Sequence, residues 1–108
     1  MEKSLTLKNM KKQYQFWVYI MASDSGTLYV GFTNNLEKRV QEHKSGYYDK
    51  SFSKKYHCHK LVYHEEFQYV FDAIARENQI KRWRREKKQF LIGTINSSWK
   101  DLSEGWYD

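Results

Sequence analysis

Two short apolar runs joined by a turn constrain this chain more than any other feature. The first run, FWVYIM at positions 16–21, mixes aromatic and β-branched residues, which is typical of a buried strand. The turn-forming tetrapeptide SDSG follows, and residues 27–32 form the second run, so the pattern predicts a β-hairpin. With the turn centred on Asp24, Tyr19 lies opposite Tyr29. Because side chains alternate along strands, both phenols then share one face.

A helix is predicted directly after the hairpin. Asn34 can cap it and Glu37 stands three residues later, as in a capping box. Four residues share one face at helical spacing: Leu36, Arg39, Val40 and His43. The two apolar members hold the helix to the sheet, and the helix is expected to end near residues 45–46.

The rest of the chain adds one strand and two helices. Residues 61–67 read as a third strand, and a long helix is predicted from Val70 to Ile92, ended by Gly93. A short closing helix is expected to start near Asn96 or Ser97, with Trp99 and Leu102 packing back. The order β-β-α-β-α-α indicates one α+β domain on a three-stranded sheet.

Composition limits the partners. The 108 residues carry a net charge of +6 and a pI of about 9.4, which points to an anionic partner, nucleic acid before a membrane surface. No run is apolar enough for a secretory signal or a membrane span. The single cysteine, Cys58, favours a reducing compartment, so we expect a cytoplasmic protein.

Arg39 and His43 stand on the helix face that should contact the core. A charge turned toward a core costs free energy unless it is paired or functional, although a solvated helix face is the ordinary alternative. Arginine presents a planar fork to phosphate, and histidine can move a proton near neutral pH. Tyr19 and Tyr29 alone would be ordinary strand residues. A phenol, with a reference pKa of about 10, needs a nearby cation to act as a base.

Glu77 is an acidic residue inside an apolar stripe of the long helix. The stripe is formed by Val70, Ala73, Ile74 and Ile80. Two interpretations remain open. The carboxylate either neutralises a buried arginine such as Arg39, or it binds a divalent cation, since Mg²⁺ is often held by one carboxylate with waters and substrate phosphate.

Basic residues supply candidate phosphate contacts in two places. One is the basic part of the long helix: Arg82, Arg84 and Arg85. The other is the polar and aromatic loop over 46–58, with Lys54 and Lys55. Sequence-independent phosphate contacts fit this charge, and the alternative is a solvated helix surface.

Taken in order, these motifs resemble the GIY-YIG nuclease superfamily. The half-motifs read WVY at 17–19 and YVG at 29–31. The stretch 31–43 is similar to the first helix of that family, and 75–83 to its glutamate-bearing helix. More narrowly, the chain resembles small stand-alone proteins related to the N-terminal nuclease domain of bacterial excinuclease. The resemblance covers roughly residues 15–102. It leaves a flexible N-terminal tail, 1–14, and a C-terminal tail, 103–108.

The resemblance implies a three-stranded antiparallel sheet flanked by helices and metal-dependent hydrolysis of DNA phosphodiester bonds. Tyr19 and Tyr29 match the motif tyrosines, one of which helps to deprotonate the attacking water. Arg39 matches the arginine that holds the scissile phosphate. Glu77 matches the ligand of a single Mg²⁺ or Mn²⁺. His43 stands where proton transfer or phosphate contact is expected.

Three further positions bear on the resemblance. Gly31 fits the last motif letter, where a bulky side chain would crowd the site. Trp17 replaces the usual glycine of the first half-motif, and Phe32 stands where some relatives carry lysine. These departures affect efficiency and substrate more than reaction class.

The expected partner is DNA, with branched or damaged DNA as candidate substrates. We expect no membrane association and no small-molecule cofactor, and the oligomeric state stays open. Two alternatives remain. One is a catalytically silent nucleic-acid-binding module. The other is a protein-interaction domain, which would show no salt-dependent affinity for nucleic acid.

Overall fold

The computed structural model describes residues 14–46 and 57–107. Three strands and three helices follow in the predicted order: β1 Phe16–Ala22, β2 Leu28–Thr33, α1 Leu36–Ser45, β3 Lys60–Phe67, α2 Val70–Arg82 and α3 Arg85–Gly93. The strands form one antiparallel sheet in the order β2-β1-β3, with the longest apolar run in the centre. The α+β fold class is therefore confirmed.

The hairpin register differs from the prediction by two residues. Ala22 pairs with Leu28, so the turn centres on Ser25 rather than on Asp24. Tyr19 consequently faces Gly31 across the strands, and Tyr29 faces Met21. The predicted direct pairing of the phenols is wrong. They still share one face, because a shift of two residues preserves side-chain alternation.

The two faces of the sheet hold separate apolar clusters. One face packs against α2 and α3 through Val18, Ile20, Val30, Ala73, Ile80 and Ile92. The other face packs against α1 through Tyr19, Met21, Leu36, Val40 and Leu61. Helix α1 and helix α2 therefore lie on opposite faces of the sheet.

Helix α1 begins one residue later than expected. The side-chain oxygen of Asn35, not of Asn34, accepts the backbone N–H of Lys38 at 3.1 Å and caps the helix. Gly46 ends the helix in the left-handed region at φ 74°, as the prediction placed it.

The long helix predicted over 70–92 is wrong as a single element, because the chain is extended at Trp83 and Arg84. The Trp83 ring packs against the core on the α2 side, and two cations flank it. The Arg76 guanidinium lies 5.3 Å and the Lys87 ammonium 4.4 Å from its centroid. This packing favours the break over continued helical hydrogen bonds.

Turns replace the closing helix expected near Asn96. The buried Asn96 amide donates to the carbonyls of Val62 and Lys100, so one side chain fixes the segment to β3. Trp99 and Leu102 pack back onto the two clusters, as expected.

The Asp101 carboxylate fastens the same segment from its other side. It accepts hydrogen bonds from the Leu61 and Ser103 amides and pairs with Lys44. Burial would raise the pKa of Asp101, but the hydrogen bonds from Lys44, Ser103 and Leu61 outweigh it and lower that pKa to about 2. These bonds supply the partners that a regular helix would have given.

Residues 103–107, expected as a tail, are packed. Ser103 is buried, and the Tyr107 hydroxyl donates to the Glu37 carbonyl at 2.6 Å. Across 14–46 and 57–107, no helix combines the length and the apolar character that crossing a bilayer requires.

Candidate active site

Two tyrosines and a histidine meet on the α1 face of the sheet. The Tyr19 hydroxyl and the His43 Nε2 form a buried hydrogen bond of 2.9 Å. The Tyr29 ring stands edge-on to the same imidazole, with centroids 4.8 Å apart, and the two phenol rings lie 6.2 Å apart. Three predicted site residues from three different elements therefore form one cluster.

Gly31 makes room for that cluster. A Cβ at this position would lie 2.7 Å from the Tyr19 hydroxyl oxygen, 2.8 Å from its Cζ and 3.0 Å from Cε1 of Tyr29. Real side chains do not tolerate contacts this short, so both rings occupy space that only glycine leaves open. The motif glycine is needed for close approach and not for a turn.

His43 is uncharged at neutral pH. Its side chain is buried beneath α1, and this burial, with the positive charge of Arg39, lowers the pKa of His43 to about 4 against a weaker opposing effect of Glu42. A neutral imidazole has one donor and one acceptor nitrogen, so it can bond the Tyr19 hydroxyl without a buried charge.

The two phenols differ in access to solvent. Tyr19 is fully buried, whereas Tyr29 is partly exposed. A proton acceptor for an attacking water must be reachable by that water, which favours Tyr29 for this role. Tyr19 is placed to hold the imidazole.

Arg39 lies one helical turn before His43 on α1. Its side chain is about one-third exposed, and its Nε lies 3.4 Å from the Glu42 carboxylate. The i,i+3 spacing of Arg39 and Glu42 is readable from the sequence, and it could have indicated this pair. The charge on the core-facing side is thus paired locally at the rim of the cluster.

Glu77 lies on α2 in the stripe that the sequence predicted. Its side chain is 14% exposed and pairs with the Lys81 ammonium at 2.9 Å. The expected alternative, neutralisation of Arg39, is not formed, since Arg39 pairs with Glu42. Within 14–46 and 57–107, no hydrogen bond or ion pair joins Glu77 to the tyrosine cluster, and α2 packs on the other face.

The arginines proposed for phosphate contact gather where α2 meets α3. Arg82, Arg84 and Arg85 are all exposed. The Arg85 guanidinium lies beside the hairpin turn, because a Cβ on Gly26 would come within 2.9 Å of its Nη2. Lys54 and Lys55 lie outside the described residues.

Among the residues that the structure describes, no three histidine, cysteine, aspartate or glutamate side chains form a ready metal site. A divalent cation would therefore need waters and substrate oxygens besides Glu77. That is a usual way of holding Mg²⁺, so one partly exposed carboxylate fits such a site.

Comparison with known proteins agrees with this arrangement. The family described as the GIY-YIG catalytic domain matches residues 15–89. A UPF0213 protein of Syntrophus aciditrophicus is 42% identical over 77% of this chain and 92% of its own length. One from Clostridium perfringens is 40% identical over 72% of this chain and 83% of its own length.

A solved structure supports the fold. The solution NMR structure of a UPF0213 protein from Bacillus halodurans aligns with a TM-score of 0.54 and 23% identity, over 84% of this chain and 97% of that one. The family match covers more than half of the sequence and includes both half-motifs and the Glu77 helix. The chain therefore belongs to the GIY-YIG family and carries a nuclease-like domain of that type.

Proposed function

We propose that this protein is an endonuclease that hydrolyses DNA phosphodiester bonds with the help of one divalent cation, Mg²⁺ or Mn²⁺. The observation that carries the proposal is the cluster of Tyr19, His43 and Tyr29 over Gly31, with Arg39 one turn away. A structural core would not need a phenol–imidazole hydrogen bond beside a partly exposed arginine. A phosphodiesterase site has a use for each of these groups.

Arg39 binds the scissile phosphate in this proposal. Its guanidinium can give two parallel hydrogen bonds to phosphate oxygens, and its ion pair with Glu42 fixes its stem on α1. Donors aimed at developing charge stabilise the transition state without reorganisation.

Tyr29 takes the proton of the attacking water. His43, held by Tyr19, packs against the Tyr29 ring and fixes its direction. The alternative acceptor is His43 itself, but its 5% exposure and its low pKa make it the weaker candidate. Tyr19 and His43 are thus mainly positioning residues.

Glu77 is the residue that would hold the cation. A bound divalent cation would neutralise charge on the phosphate. Lys81 must then release the carboxylate, which is a modest cost for a pair whose lysine is half-exposed. Because β2 is an edge strand and α2 lies behind it, substrate can meet Glu77 and Tyr29 around that edge.

The same proposal covers substrate and location. Arg82, Arg84 and Arg85 would hold the DNA backbone beyond the site, with branched or damaged DNA, as in DNA repair, as the substrates to test first. Cys58 is a free buried thiol, which suits a reducing cytoplasm.

Cleavage assays test the proposal. Supercoiled plasmid and a four-way junction are incubated with the protein and Mg²⁺ or Mn²⁺. We expect nicked or cut products, and about 10²-fold or greater loss of rate in Arg39→Ala and Glu77→Gln. The exposed Glu104→Gln, which removes an acidic charge far along the sequence from both, should cleave like the wild type.

A silent nucleic-acid-binding module is the second candidate, and the Glu77–Lys81 pair favours it, because the carboxylate already has a partner. Salt-dependent DNA binding with no cleavage in either metal would establish the module and overturn the nuclease.

A further inference from the structure

A cavity opens beside the tyrosine cluster on the α1 face. Its volume is about 450 Å³, and aromatic and amide side chains dominate its wall: Trp17, His64, Trp106, Gln15, Asn34 and Asn35. The rings of His64 and Trp106 are edge-on, with centroids 6.5 Å apart. None of these residues has a part in the proposed hydrolysis.

Sheet geometry makes the cavity continuous with the site. Trp17 precedes Tyr19 by two residues on β1, so both side chains stand on the same face. His64 is the direct cross-strand neighbour of Tyr19. Adjacent residues on one face lie within about 7 Å, so a group in the cavity lies next to a phosphate at Arg39 and Tyr29.

The wall disfavours a phosphate as the occupant. Its described lining contains neither lysine nor arginine and includes the exposed carboxylate of Glu37. Burial lowers the pKa of His64, more than Glu66 raises it, so this ring is uncharged at neutral pH. The chemistry suits an uncharged planar group that stacks on aromatic faces.

The amides provide polar contacts for the edge of such a group. Gln15 donates its Nε2 to Glu66, which leaves its carbonyl oxygen as an acceptor. Asn35 accepts the Lys38 amide on its Oδ1, which leaves its NH₂ group as a donor. One donor and one acceptor beside aromatic rings is the combination that reads the hydrogen-bonding edge of a base.

We propose that this cavity binds an unpaired nucleobase next to the bond to be cut, so that the enzyme selects nucleic acid with an unstacked or extrahelical nucleotide. The inference rests on the proposed function for the identity of the chain that enters. The net charge of +6 and the GIY-YIG domain favour nucleic acid over other planar ligands.

A binding assay without metal tests the cavity separately from hydrolysis. Two duplexes with one extrahelical nucleotide are compared in EDTA, one with 2-aminopurine at that position and one with an abasic residue. We expect the wild type to bind the base-containing duplex at least about fivefold more tightly and to quench its fluorescence, as one stacking contact would give.

Variants of one ring identify the wall. Trp106→Leu should remove the preference for the base-containing duplex, whereas Trp106→Phe should keep most of it. The control is Phe71→Leu on α2, since Phe71 is 80% exposed and lies outside the cavity. Because Trp106 packs on the core, urea unfolding is measured for each variant. Asn34→Trp, at an exposed site, should block the cavity without disturbing the core.

Equal affinity of the wild type for both duplexes, or an undiminished preference in Asn34→Trp and in folded Trp106→Leu, would overturn the cavity proposal even if cleavage occurs. A base preference that depends on Trp106, with no cleavage in any metal, would support the cavity and defeat only the nuclease.

Discussion

Burial determines what His43 can do as a residue. Its ring lies under α1 and bonds a fully buried phenol, so the protonated form would carry a charge with little solvation. Histidine is usually assigned proton transfer because its ordinary pKa lies near neutrality. Here the folded protein shifts that pKa to about 4, and the ring serves better as a neutral hydrogen-bonding group.

This shift makes stability depend on pH. The unfolded chain binds a proton on His43 near pH 6.5 and the folded chain only near pH 4, so stability is complete above 6.5 and is lost as the pH falls toward 4. Between pH 7.5 and 5 the loss from His43 is about 2 kcal/mol. Urea unfolding at both pH values should show that His43→Gln, which keeps a bond to Tyr19, loses about that much less than the wild type.

The difference between the two proteins isolates His43, because His64 and Asp101 titrate in both. Identical pH profiles for the wild type and His43→Gln would contradict the burial of a neutral imidazole.

At the scale of elements, the register of β1 against β2 creates the space for the site. The strands place Gly31 opposite Tyr19 and Tyr29 two residues along, so both rings lean over the same gap. The face shared by the phenols was predictable from alternation alone. The exact partner was not, because the centre of a turn within SDSG depends on hydrogen bonds such as that from the Gly26 amide to the Ser23 carbonyl.

Gly31→Ala tests this packing. The new methyl would lie within 3.0 Å of both rings, and overpacking of this kind should cost about 1–3 kcal/mol and displace Tyr29 from His43. We expect a lower urea midpoint together with a severe loss of cleavage. Gly93→Ala is the matched control, since nothing lies within 4 Å of its Cβ and the position ends α3. It should unfold at the same urea concentration or a higher one.

The break between α2 and α3 was beyond a reading of helical spacing. Apolar positions continue in phase from Val70 to Ile92, and Trp83 has no unusual helix propensity. The chain leaves the helix because the Trp83 ring gains contacts with the core and with two cations from different helices. Such contacts exist only after the helices have docked.

At the scale of the whole molecule, charge is separated from the site that it serves. Arg82, Arg84 and Arg85 stand at the α2–α3 junction, and Arg85 reaches the hairpin turn. The cavity wall at the start of α1, as far as the described residues form it, carries no arginine or lysine. One surface therefore suits a phosphate backbone and the other a base.

Salt dependence measures the first of these surfaces. If the three arginines each neutralise one phosphate, replacing all three by alanine should reduce the slope of log K against log salt by about 2.7. Fluorescence anisotropy with one duplex at several salt concentrations gives that slope. Lys100→Ala removes an exposed charge from the C-terminal turns and should change the slope by much less. An unchanged slope in the triple variant would exclude the junction from the DNA-binding surface.

The sequence by itself determined the strands, the first helix, the α+β class and the identity of the candidate residues, because alternation, helical spacing and motif order are local properties of a chain. Only the tertiary structure decided which of those residues meet. Tyr19, Tyr29 and His43 are joined through strand register and the seating of α1, whereas Glu77 pairs with Lys81 on a helix behind the sheet. The physical reason is that contacts between elements depend on how whole faces pack, and no local pattern records that choice.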